Sequence, residues 1–342
     1  MSPSDLFLRL QRLAPLALLL ALSACATGTR GVGYRELTMK DPVGGGPMKG
    51  VVFYPSPRSS GAVDHDLARV EASQDLEPEP GRHPLVLVSH GHGGTRWGHS
   101  DLATALARRG FVVAALDHAG NTYGDNERAG SDEVWLGRAL QVRALLDSVL
   151  GDAVMGPRVD PARVGAMGFS MGGYTVLLLA GAVPDLDRFE PACALEVNRQ
   201  SELCTDLSEV RRTNRPELRA TAEPRVRAVF SMAPVGIPFD ARGLRDVTVP
   251  VRLYAAEEDV VLPISSNAVN VRDSLPRPPE YTTLPRAGHY VFLAPCREKM
   301  VAVVPELCVD PTGVDRVKLH QQLADDAERF FRRTLTTTGQ ER

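Results

Sequence analysis

The sequence carries little net charge and no long basic segment. Lys and Arg together number 39 and Asp and Glu number 42 among 342 residues, and no basic run in the body of the chain is longer than two residues. Because a surface that binds nucleic acid needs clustered, excess Lys and Arg, no nucleic-acid partner is expected. Apolar residues make up 43% of the chain, which is enough for a sizeable core and excludes intrinsic disorder as the main state.

The chain also lacks an apolar run near its N-terminus that is long enough to span a membrane. Residues 13–22 are apolar and follow Arg9 and Arg12, but they fall short of the ~20 residues that a spanning helix needs. A short apolar run between basic residues and small residues is typical of an export signal. The four residues Leu-Ser-Ala-Cys that end at Cys25 resemble the bacterial lipoprotein box, in which the cysteine is lipidated and becomes the first mature residue.

This resemblance implies a signal peptide over residues 1–24 and a short tether over residues 25–33. Ala26 stands where an Asp would favour the inner membrane. The expected location is therefore the bacterial cell envelope, with the exported chain anchored by lipid in the outer membrane and facing the periplasm or the cell surface. The alternative is an ordinary signal peptide that happens to contain a cysteine.

Cysteine is scarce, and its count of five is odd. If Cys25 carries lipid, four cysteines remain, and they fall into two local pairs, Cys193 with Cys204 and Cys296 with Cys308. Four cysteines allow three connectivities, of which short-range pairing is the simplest, and an oxidising compartment favours disulfides. A zinc site built from four cysteines is the competing interpretation, but no Cys-x-x-Cys spacing supports it.

Short, continuous apolar runs alternate with helical patterns through most of the chain. Such runs are typical of strands buried on both faces of a parallel sheet, and the alternation indicates right-handed βαβ units. The fold class is therefore α/β, with a doubly wound, mostly parallel sheet. The predicted strands cover 34–40, 50–54, 85–88, 111–116, 163–167, 226–230, 249–254 and 281–284, and the predicted helices cover 100–109, 132–150, 171–182 and 315–335.

A polar stretch over residues 184–224 interrupts this alternation. It lies between a predicted helix and the sixth predicted strand and contains Cys193 and Cys204. We interpret it as an insertion over one edge of the sheet that can act as a partial lid. One catalytic domain over residues 34–342 that carries this insertion is more economical than two domains. Residues 55–83, which are rich in Pro, Ser and acidic residues, are interpreted as a long surface connection.

The most specific motif is Gly168-x-Ser170-x-Gly172, which follows a predicted buried strand and precedes an apolar helix. Strand, glycine-flanked serine and helix form the context of a nucleophile elbow. The turn is so tight that side chains at residues 168 and 172 would clash with the neighbouring strand and helix. We therefore predict that Ser170 is a nucleophile at the C-terminal edge of the sheet, where the helix N-terminus favours developing negative charge.

A serine nucleophile needs an imidazole base that is oriented by a carboxylate. Hydrolases with this elbow place the acid and then the histidine after the serine. His289 follows the last predicted strand and is the predicted base, whereas His320 lies in the terminal helix and is interpreted as a surface or packing residue. Asp259 is the predicted acid, and its neighbours Glu257 and Glu258 are interpreted as solvated companions.

The oxyanion hole is expected to combine the N–H after the nucleophile with an N–H from the loop after the first parallel strand. That loop is Ser-His-Gly-His-Gly-Gly over residues 89–94. The backbone N–H groups of His92 and Met171 are therefore the predicted donors.

These segments together resemble the α/β-hydrolase superfamily, and within it the bacterial predicted dienelactone hydrolases. That group is related to platelet-activating-factor acetylhydrolases and, more distantly, to cutinase-like polyester hydrolases. The resemblance runs from about residue 34 to the C-terminus and includes residues 84–94, 110–118, 168–173 and 287–293. It carries over the functional residues Ser170, Asp259 and His289, with His92 and Met171 at the oxyanion positions. Authentic dienelactone hydrolases have a cysteine nucleophile where this chain has Ser170, so the family name does not identify the substrate.

Two other interpretations stay open. His90 and His92, with Asp117 and His118 downstream, superficially resemble the ligands of a metal-dependent hydrolase, although Gly93 and Gly94 follow where a third histidine belongs. The chain can also be a non-catalytic envelope lipoprotein that binds ligands on a hydrolase fold, since a fold alone does not imply function.

The sequence therefore predicts a lipid-anchored serine hydrolase that cleaves carboxylic esters through an acyl-enzyme intermediate. Candidate substrates are short-chain acyl esters, which the resemblance favours, oxidised phospholipids and polyesters. No cofactor and no metal are implied. The expected partners are a small-molecule or lipid ester and the membrane that holds the lipid on Cys25, and the oligomeric state is left open. Trp97, Tyr123, Phe169 and Tyr290 flank the motif loops and are candidates for lining the substrate pocket.

Overall fold

The computed structural model of the protein describes residues 30–65, 68–206, 210–213, 215 and 217–336. The predicted signal peptide, the lipidation site at Cys25 and the first part of the predicted tether lie outside this range. Within the described ranges, none of the helices combines the length and the apolar character that crossing a membrane requires.

Within the part of the chain that the structure describes, nine strands form one sheet and two short strands form a second one. The strands are β1 (Gly31–Lys40), β2 (Pro47–Ser56), β3 (Val63–His65), β4 (Ala68–Val70), β5 (Ser73–Gln74), β6 (His83–Ser89), β7 (Val112–Leu116), β8 (Val159–Phe169), β9 (Val226–Met232), β10 (Val251–Ala256) and β11 (Glu280–Leu284). The large sheet has the order β11-β10-β9-β8-β6-β7-β2-β1-β5, and β3 pairs with β4.

Six neighbouring strands of the large sheet, from β11 to β7, run parallel to one another. Strand β2 is antiparallel to both β7 and β1, so the antiparallel part lies at one side of the sheet. All five residues of β7 are buried, as expected for a strand covered on both faces. The prediction of a mostly parallel sheet is confirmed, and the C-terminal ends of the parallel strands share one edge.

Helices cover both faces of the large sheet. The helices are α1 (Ser100–Arg108), α2 (Asp132–Gly151), α3 (Met171–Leu179), α4 (Phe189–Cys193), α5 (Glu202–Asp206), α6 (Ala241–Leu244), α7 (Ala268–Ser274), α8 (Glu298–Val301), α9 (Pro305–Cys308) and α10 (Arg316–Thr334). Leu106 of α1 and Phe331 of α10 belong to the core on one face, whereas Leu145 of α2 and Leu178 of α3 belong to the core on the other. The sheet is therefore doubly wound, as predicted.

The four predicted helices correspond closely to α1, α2, α3 and α10. The side chain of Asp315 accepts a hydrogen bond from the N–H of Lys318 and caps the start of α10. The predicted insertion lies between α3 and β9, as expected, and contains the short helices α4 and α5. Its action as a lid stays a prediction.

Two sequence interpretations need correction. Strand β1 begins at Gly31, so the last residues of the predicted tether belong to the sheet, where Gly33 pairs with Tyr54. A Cβ on Gly33 would lie 2.3 Å from the Tyr54 ring, so the absence of a side chain lets the two strands pair there. The interpretation of residues 55–83 as a surface connection was also wrong in part, because they form β3, β4 and β5 and bury Val70 and Ala72 in the core.

The four remaining cysteines form two disulfides, Cys193–Cys204 and Cys296–Cys308. The short-range pairing is the one expected from the spacing, and it uses the same four sulfur atoms that the zinc interpretation required. Each disulfide closes a short segment beside the C-terminal edge of the sheet.

Candidate active site

Ser170 lies in the sharp turn between the end of β8 at Phe169 and the start of α3 at Met171. Its φ angle is 56°, which lies in the left-handed region that residues other than glycine rarely adopt. The backbone on both sides fixes this conformation, because the Ser170 N–H donates to the Met232 carbonyl at 2.9 Å and the Ser170 carbonyl accepts from the Tyr174 N–H at 3.0 Å. A residue held in such strain is a candidate for function.

The two glycines of the motif are required by close backbone contacts. A Cβ on Gly168 would lie 2.2 Å from the carbonyl oxygen of Gly172. A Cβ on Gly172 would lie 1.9 Å from the carbonyl oxygen of Ser89, in the loop predicted to hold an oxyanion donor. The elbow therefore packs directly against that loop.

Met171 is the first residue of α3. The first N–H groups of a helix have no partner within the helix, and they add to the positive end of the helix dipole. The Met171 N–H therefore belongs to a group of donors that favours negative charge beside Ser170.

Asp259 and His289 are hydrogen-bonded to each other, with the Nδ1 of His289 2.7 Å from the Oδ2 of Asp259. Both side chains are buried, with 3% and 2% of their surface exposed. The other carboxylate oxygen of Asp259 accepts from the N–H groups of Val261 at 3.0 Å and Leu262 at 2.7 Å. Asp259 is therefore held in place on one side and holds the imidazole on the other.

The three neighbouring carboxylates have different surroundings. Glu257 accepts a hydrogen bond from the backbone N–H of Arg286 at 2.8 Å, and both Glu257 and Glu258 are exposed. Only Asp259 of the three contacts His289 among the hydrogen bonds of the described residues.

His320 is buried beneath the turn that carries His289. Its Nδ1 lies 2.5 Å from the Oδ2 of Asp101 in α1, and its Nε2 lies 2.8 Å from the carbonyl oxygen of Val291. Both partners accept, so both ring nitrogens donate, and a histidine that donates from both nitrogens is an imidazolium. Burial alone would lower the pKa of His320, but the charge and hydrogen bond of Asp101 outweigh burial and raise the pKa above 6.5, against a weaker opposing effect of Arg316.

We expect His320→Gln to lower the free energy of unfolding by about 2 kcal/mol at about pH 6, because it leaves the partly buried carboxylate of Asp101 without its cationic partner. A histidine whose folded pKa is raised contributes stability below its unfolded pKa and loses that contribution as the pH rises through the folded value. The deficit should therefore shrink at about pH 9, and urea denaturation at the two pH values measures it.

Asp101→Asn provides the reciprocal control for the same ion pair. The double variant should cost less than the sum of the two single variants, because the residues are in direct contact. A deficit for His320→Gln that is equal at both pH values would contradict an imidazolium at this position.

The loop after β6 is held from below by a buried polar network. The Nδ1 of His90 lies 2.6 Å from the Gly91 carbonyl oxygen, and its Nε2 accepts from the His118 N–H at 3.1 Å. The Nε2 of His118 lies 2.8 Å from the hydroxyl of Ser89, and its Nδ1 lies 2.8 Å from the Oε1 of Gln141. Burial, and then the charge of Arg138, hold the pKa of both histidines well below 6.5, so both are neutral.

His92 is exposed, and its ring lies 3.0 Å from the side-chain amide of Asn121 and 3.1 Å from that of Asn126. The ring nitrogens of His90 and His118 all have protein partners. Across the described ranges, His, Cys, Asp and Glu side chains form no group of three or more that could hold a metal ion.

Ser170 and His289 line one cavity of about 560 Å³. His92 and Met171, which carry the predicted oxyanion donors, line it as well. The four aromatic residues singled out from the sequence, Trp97, Tyr123, Phe169 and Tyr290, also lie in its wall. The structure thus brings the predicted nucleophile, base and oxyanion donors to one cavity, with the predicted acid hydrogen-bonded behind the base.

Both disulfide-linked segments contribute to the wall of this cavity. Glu202 and Leu203 come from the Cys193–Cys204 segment, and Met300 and Leu307 come from the Cys296–Cys308 segment. The hydroxyl of Tyr290 donates to Glu202 at 2.8 Å and connects the insertion to the turn that carries His289. Burial, together with Glu202, raises the pKa of Tyr290, so this hydroxyl stays protonated.

Comparisons with known proteins agree with this architecture. Residues 61–129 match the family described as platelet-activating factor acetylhydrolase, isoform II. Cutinase est1 of Thermobifida alba is 27% identical over 209 residues, which are 60% of this chain and 53% of that protein. Cutinase 2 of Thermobifida cellulosilytica is 34% identical over 116 residues, 33% of this chain and 40% of that protein. The chain thus spans about half (53%) of the length of Cutinase est1.

The ferulic acid esterase from Streptomyces cinnamoneus has a similar structure. Its TM-score is 0.61 at 21% sequence identity, and the match covers 94% of this chain and 95% of the esterase. The fold is therefore of the α/β-hydrolase type, as the sequence predicted.

Proposed function

We propose that this chain is a serine hydrolase that cleaves carboxylic esters. The observation that carries the proposal is one arrangement: Ser170, strained at the start of α3, shares a cavity with His289, and Asp259 holds the His289 ring at 2.7 Å. Nucleophile, base and orienting carboxylate in this order on this fold are the parts that acyl transfer needs. The similarity to proteins named cutinase and ferulic acid esterase supports the same reaction class.

Because Asp259 occupies the Nδ1 of His289, the Nε2 is the nitrogen that is left to act as the base. The Oγ of Ser170 attacks the ester carbonyl carbon while this nitrogen takes the hydroxyl proton, and Asp259 stabilises the imidazolium that forms. The N–H groups of His92 and Met171 bind the negative oxygen of the tetrahedral intermediate. Collapse of the intermediate breaks the bond to the alcohol, which leaves with the proton from His289. Water, activated by His289, then releases the acid from Ser170 by the same steps.

The lining of the cavity favours binding of an uncharged, apolar substrate group. Its wall includes Leu203, Leu262, Leu293, Val304 and Leu307. The wall also contains one carboxylate and one guanidinium group, and each of them has a protein partner. These are Glu202 with Tyr290 and Arg297 with Asp64. We therefore propose esters with an apolar acyl or alcohol group as the substrate class, which includes acyl esters, lipids and polyesters.

A series of p-nitrophenyl esters from acetate to octanoate tests this proposal. Each methylene that enters the cavity contributes about 0.8 kcal/mol, so kcat/KM should rise by roughly fourfold per methylene until the cavity is full. Equal rates along the series would contradict an apolar acyl site. No hydrolysis of any ester, thioester or amide would favour the non-catalytic binding protein instead.

We also propose that the mature chain is anchored by lipid on Cys25 in the bacterial cell envelope, at the outer membrane facing the periplasm or the cell surface. The support is the Leu-Ser-Ala-Cys box after a short apolar run. Intact-mass measurement of the membrane fraction tests the proposal: a chain that begins at an acylated Cys25 supports it, and an unmodified Cys25 overturns it.

A further inference from the structure

Arg138 in the middle of α2 is a buried cation that forms no ion pair with any described residue. Only 1% of its surface is exposed. Its Nη1 donates to the Oδ1 of Asn121 at 2.6 Å, and its Nη2 donates to the carbonyl oxygen of His90 and to the hydroxyl of Ser89 at 3.3 Å. All three partners are neutral, and a guanidinium keeps its proton in proteins. Therefore, no negatively charged group among the described residues forms an ion pair with this guanidinium.

Such a charge is costly to bury. Taking an ion out of water costs several kcal/mol, and hydrogen bonds to neutral groups repay only part of that cost. The nearest titratable rings, His90 and His118, are neutral and add no negative charge. The nearby buried carboxylate of Asp41 is bound to Gln141 and Arg128 instead. Local exceptions of this kind concentrate at functional sites, and favourable interactions elsewhere in the fold offset their cost.

The partners of Arg138 lie directly beneath the proposed oxyanion hole. The carbonyl of His90 points into the interior toward the guanidinium, so in a trans peptide the N–H of Gly91 points away from it. Gly91 and His92 follow and line the cavity. Asn121, the second partner, also contacts the ring of His92 at 3.0 Å. Arg138 thus holds the loop that presents the backbone donors, from the side opposite the substrate.

The same loop interlocks with the elbow. A Cβ on Gly172 would lie 1.9 Å from the Ser89 carbonyl oxygen and 2.7 Å from that of His90. The carbonyl that Arg138 binds is therefore packed against the segment that follows Ser170. A shift of this peptide would change the distance between the two proposed oxyanion donors, one on each segment.

We propose, building on the ester-hydrolase function above, that Arg138 is a positioning residue that holds the oxyanion loop through the His90 carbonyl and places an uncompensated positive charge behind the hole. Negative charge develops on the carbonyl oxygen only in the tetrahedral transition state. A fixed charge and fixed donors aimed at that oxygen favour the transition state over the bound ester. Arg138 should therefore act on kcat and leave substrate binding nearly unchanged.

The test compares Arg138→Met and Arg138→Lys with the wild type on p-nitrophenyl butyrate. Arg138→Met should lower kcat by about 100-fold, the typical effect of a lost oxyanion donor, with KM changed by less than about threefold. Binding of a boronic acid, which mimics the tetrahedral intermediate, should weaken by a similar factor. Arg138→Lys keeps the charge without the planar fork of donors, so its kcat should fall between those of the other two proteins.

Arg143→Met is the matched control. Arg143 lies on the same helix and likewise donates to a backbone carbonyl, that of Ala222 at 2.8 Å, but it is partly exposed and pairs with Glu223. This variant should keep the wild-type kcat. Urea denaturation completes the comparison: Arg138→Met should unfold at a denaturant concentration close to that of the wild type, because removal of an uncompensated buried charge offsets the cost of the acceptors that it leaves unpaired.

The proposal is overturned if folded Arg138→Met keeps kcat within about threefold of the wild type. It is equally overturned if the loss appears in KM and in the unfolding midpoint rather than in kcat, which would indicate a purely structural role. If Arg138→Met does not fold, Arg138→Lys tests the proposal instead. Full activity in Arg138→Lys would exclude a need for the planar set of guanidinium donors and would overturn the proposal. Failure of the ester-hydrolase function itself would appear separately, as activity that survives in Ser170→Ala.

Discussion

Ser170→Ala is expected to lower kcat for p-nitrophenyl butyrate on the order of 100,000-fold, to a residual rate that the oxyanion hole and substrate binding still keep above the uncatalysed rate. Alanine removes the oxygen that forms the acyl bond and leaves the strained turn intact, since the backbone hydrogen bonds of residue 170 do not involve its side chain. KM, where it can be measured, should change little because the cavity is unchanged. Initial rates at protein concentrations matched by absorbance measure the effect.

Ser265→Ala is the control for this substitution. Ser265 is exposed and is not among the residues that line the cavity, so its variant should have the wild-type kcat. Ester hydrolysis that persists unchanged in Ser170→Ala would contradict the serine mechanism.

Asp259→Asn is expected to lower kcat by about 10,000-fold at neutral pH. The amide can keep the two hydrogen bonds from the Val261 and Leu262 N–H groups on its oxygen. Its NH₂ group then faces the Nδ1 of His289 and favours the tautomer in which the Nε2 carries the proton and is no longer free to act as the base. The loss should therefore appear in kcat over the neutral range, measured as a rate profile against pH.

Glu258→Gln separates this effect from a general loss of negative charge. Glu258 is the adjacent carboxylate, is exposed and does not contact His289 among the hydrogen bonds of the described residues. The variant should retain wild-type kcat. Comparable losses in Asp259→Asn and Glu258→Gln would mean that the loop, rather than one carboxylate, supports the histidine.

The strand, the turn and the helix around Ser170 are encoded by contiguous sequence, and the structure has all three where they were predicted. The elbow needs only a buried strand, Gly168-x-Ser170-x-Gly172 and an apolar helix, and all three are contiguous in the chain. The contacts that Gly168 and Gly172 make show why the spacing is informative, since a side chain at either residue would collide with backbone. The alternation of apolar runs and helical patterns likewise predicted the doubly wound sheet, because burial on both faces produces continuous apolar strands.

The contacts between distant segments were not predictable in the same way. Asp101 and His320 are 219 residues apart, and nothing near either residue indicates the other. Residues 55–83 have a polar composition typical of a loop, yet the exposed edge of β1 offers unpaired backbone groups, and β5 pairs with it. Pairing of this kind depends on the assembled sheet rather than on local propensity.

The position of Arg138 in the sequence indicates that its side chain is buried. It lies four residues after Val134 and four before Val142, so it shares the buried face of α2 with both. A charged residue on an apolar face is expected to be buried with partners or to act at a site. Its partners Asn121 and His90 come from loops at the edge of the sheet, so only the folded chain reveals what it contacts.

The most direct test of the proposed function is covalent labelling with a fluorophosphonate, followed by mass mapping of the labelled peptide. The reagent reacts with a serine that is activated by an adjacent histidine. We expect one adduct per chain, on Ser170, with loss of ester hydrolysis in proportion to labelling and no adduct in Ser170→Ala. Hydrolysis that continues after complete labelling, or an adduct on a different residue, would contradict the proposed function.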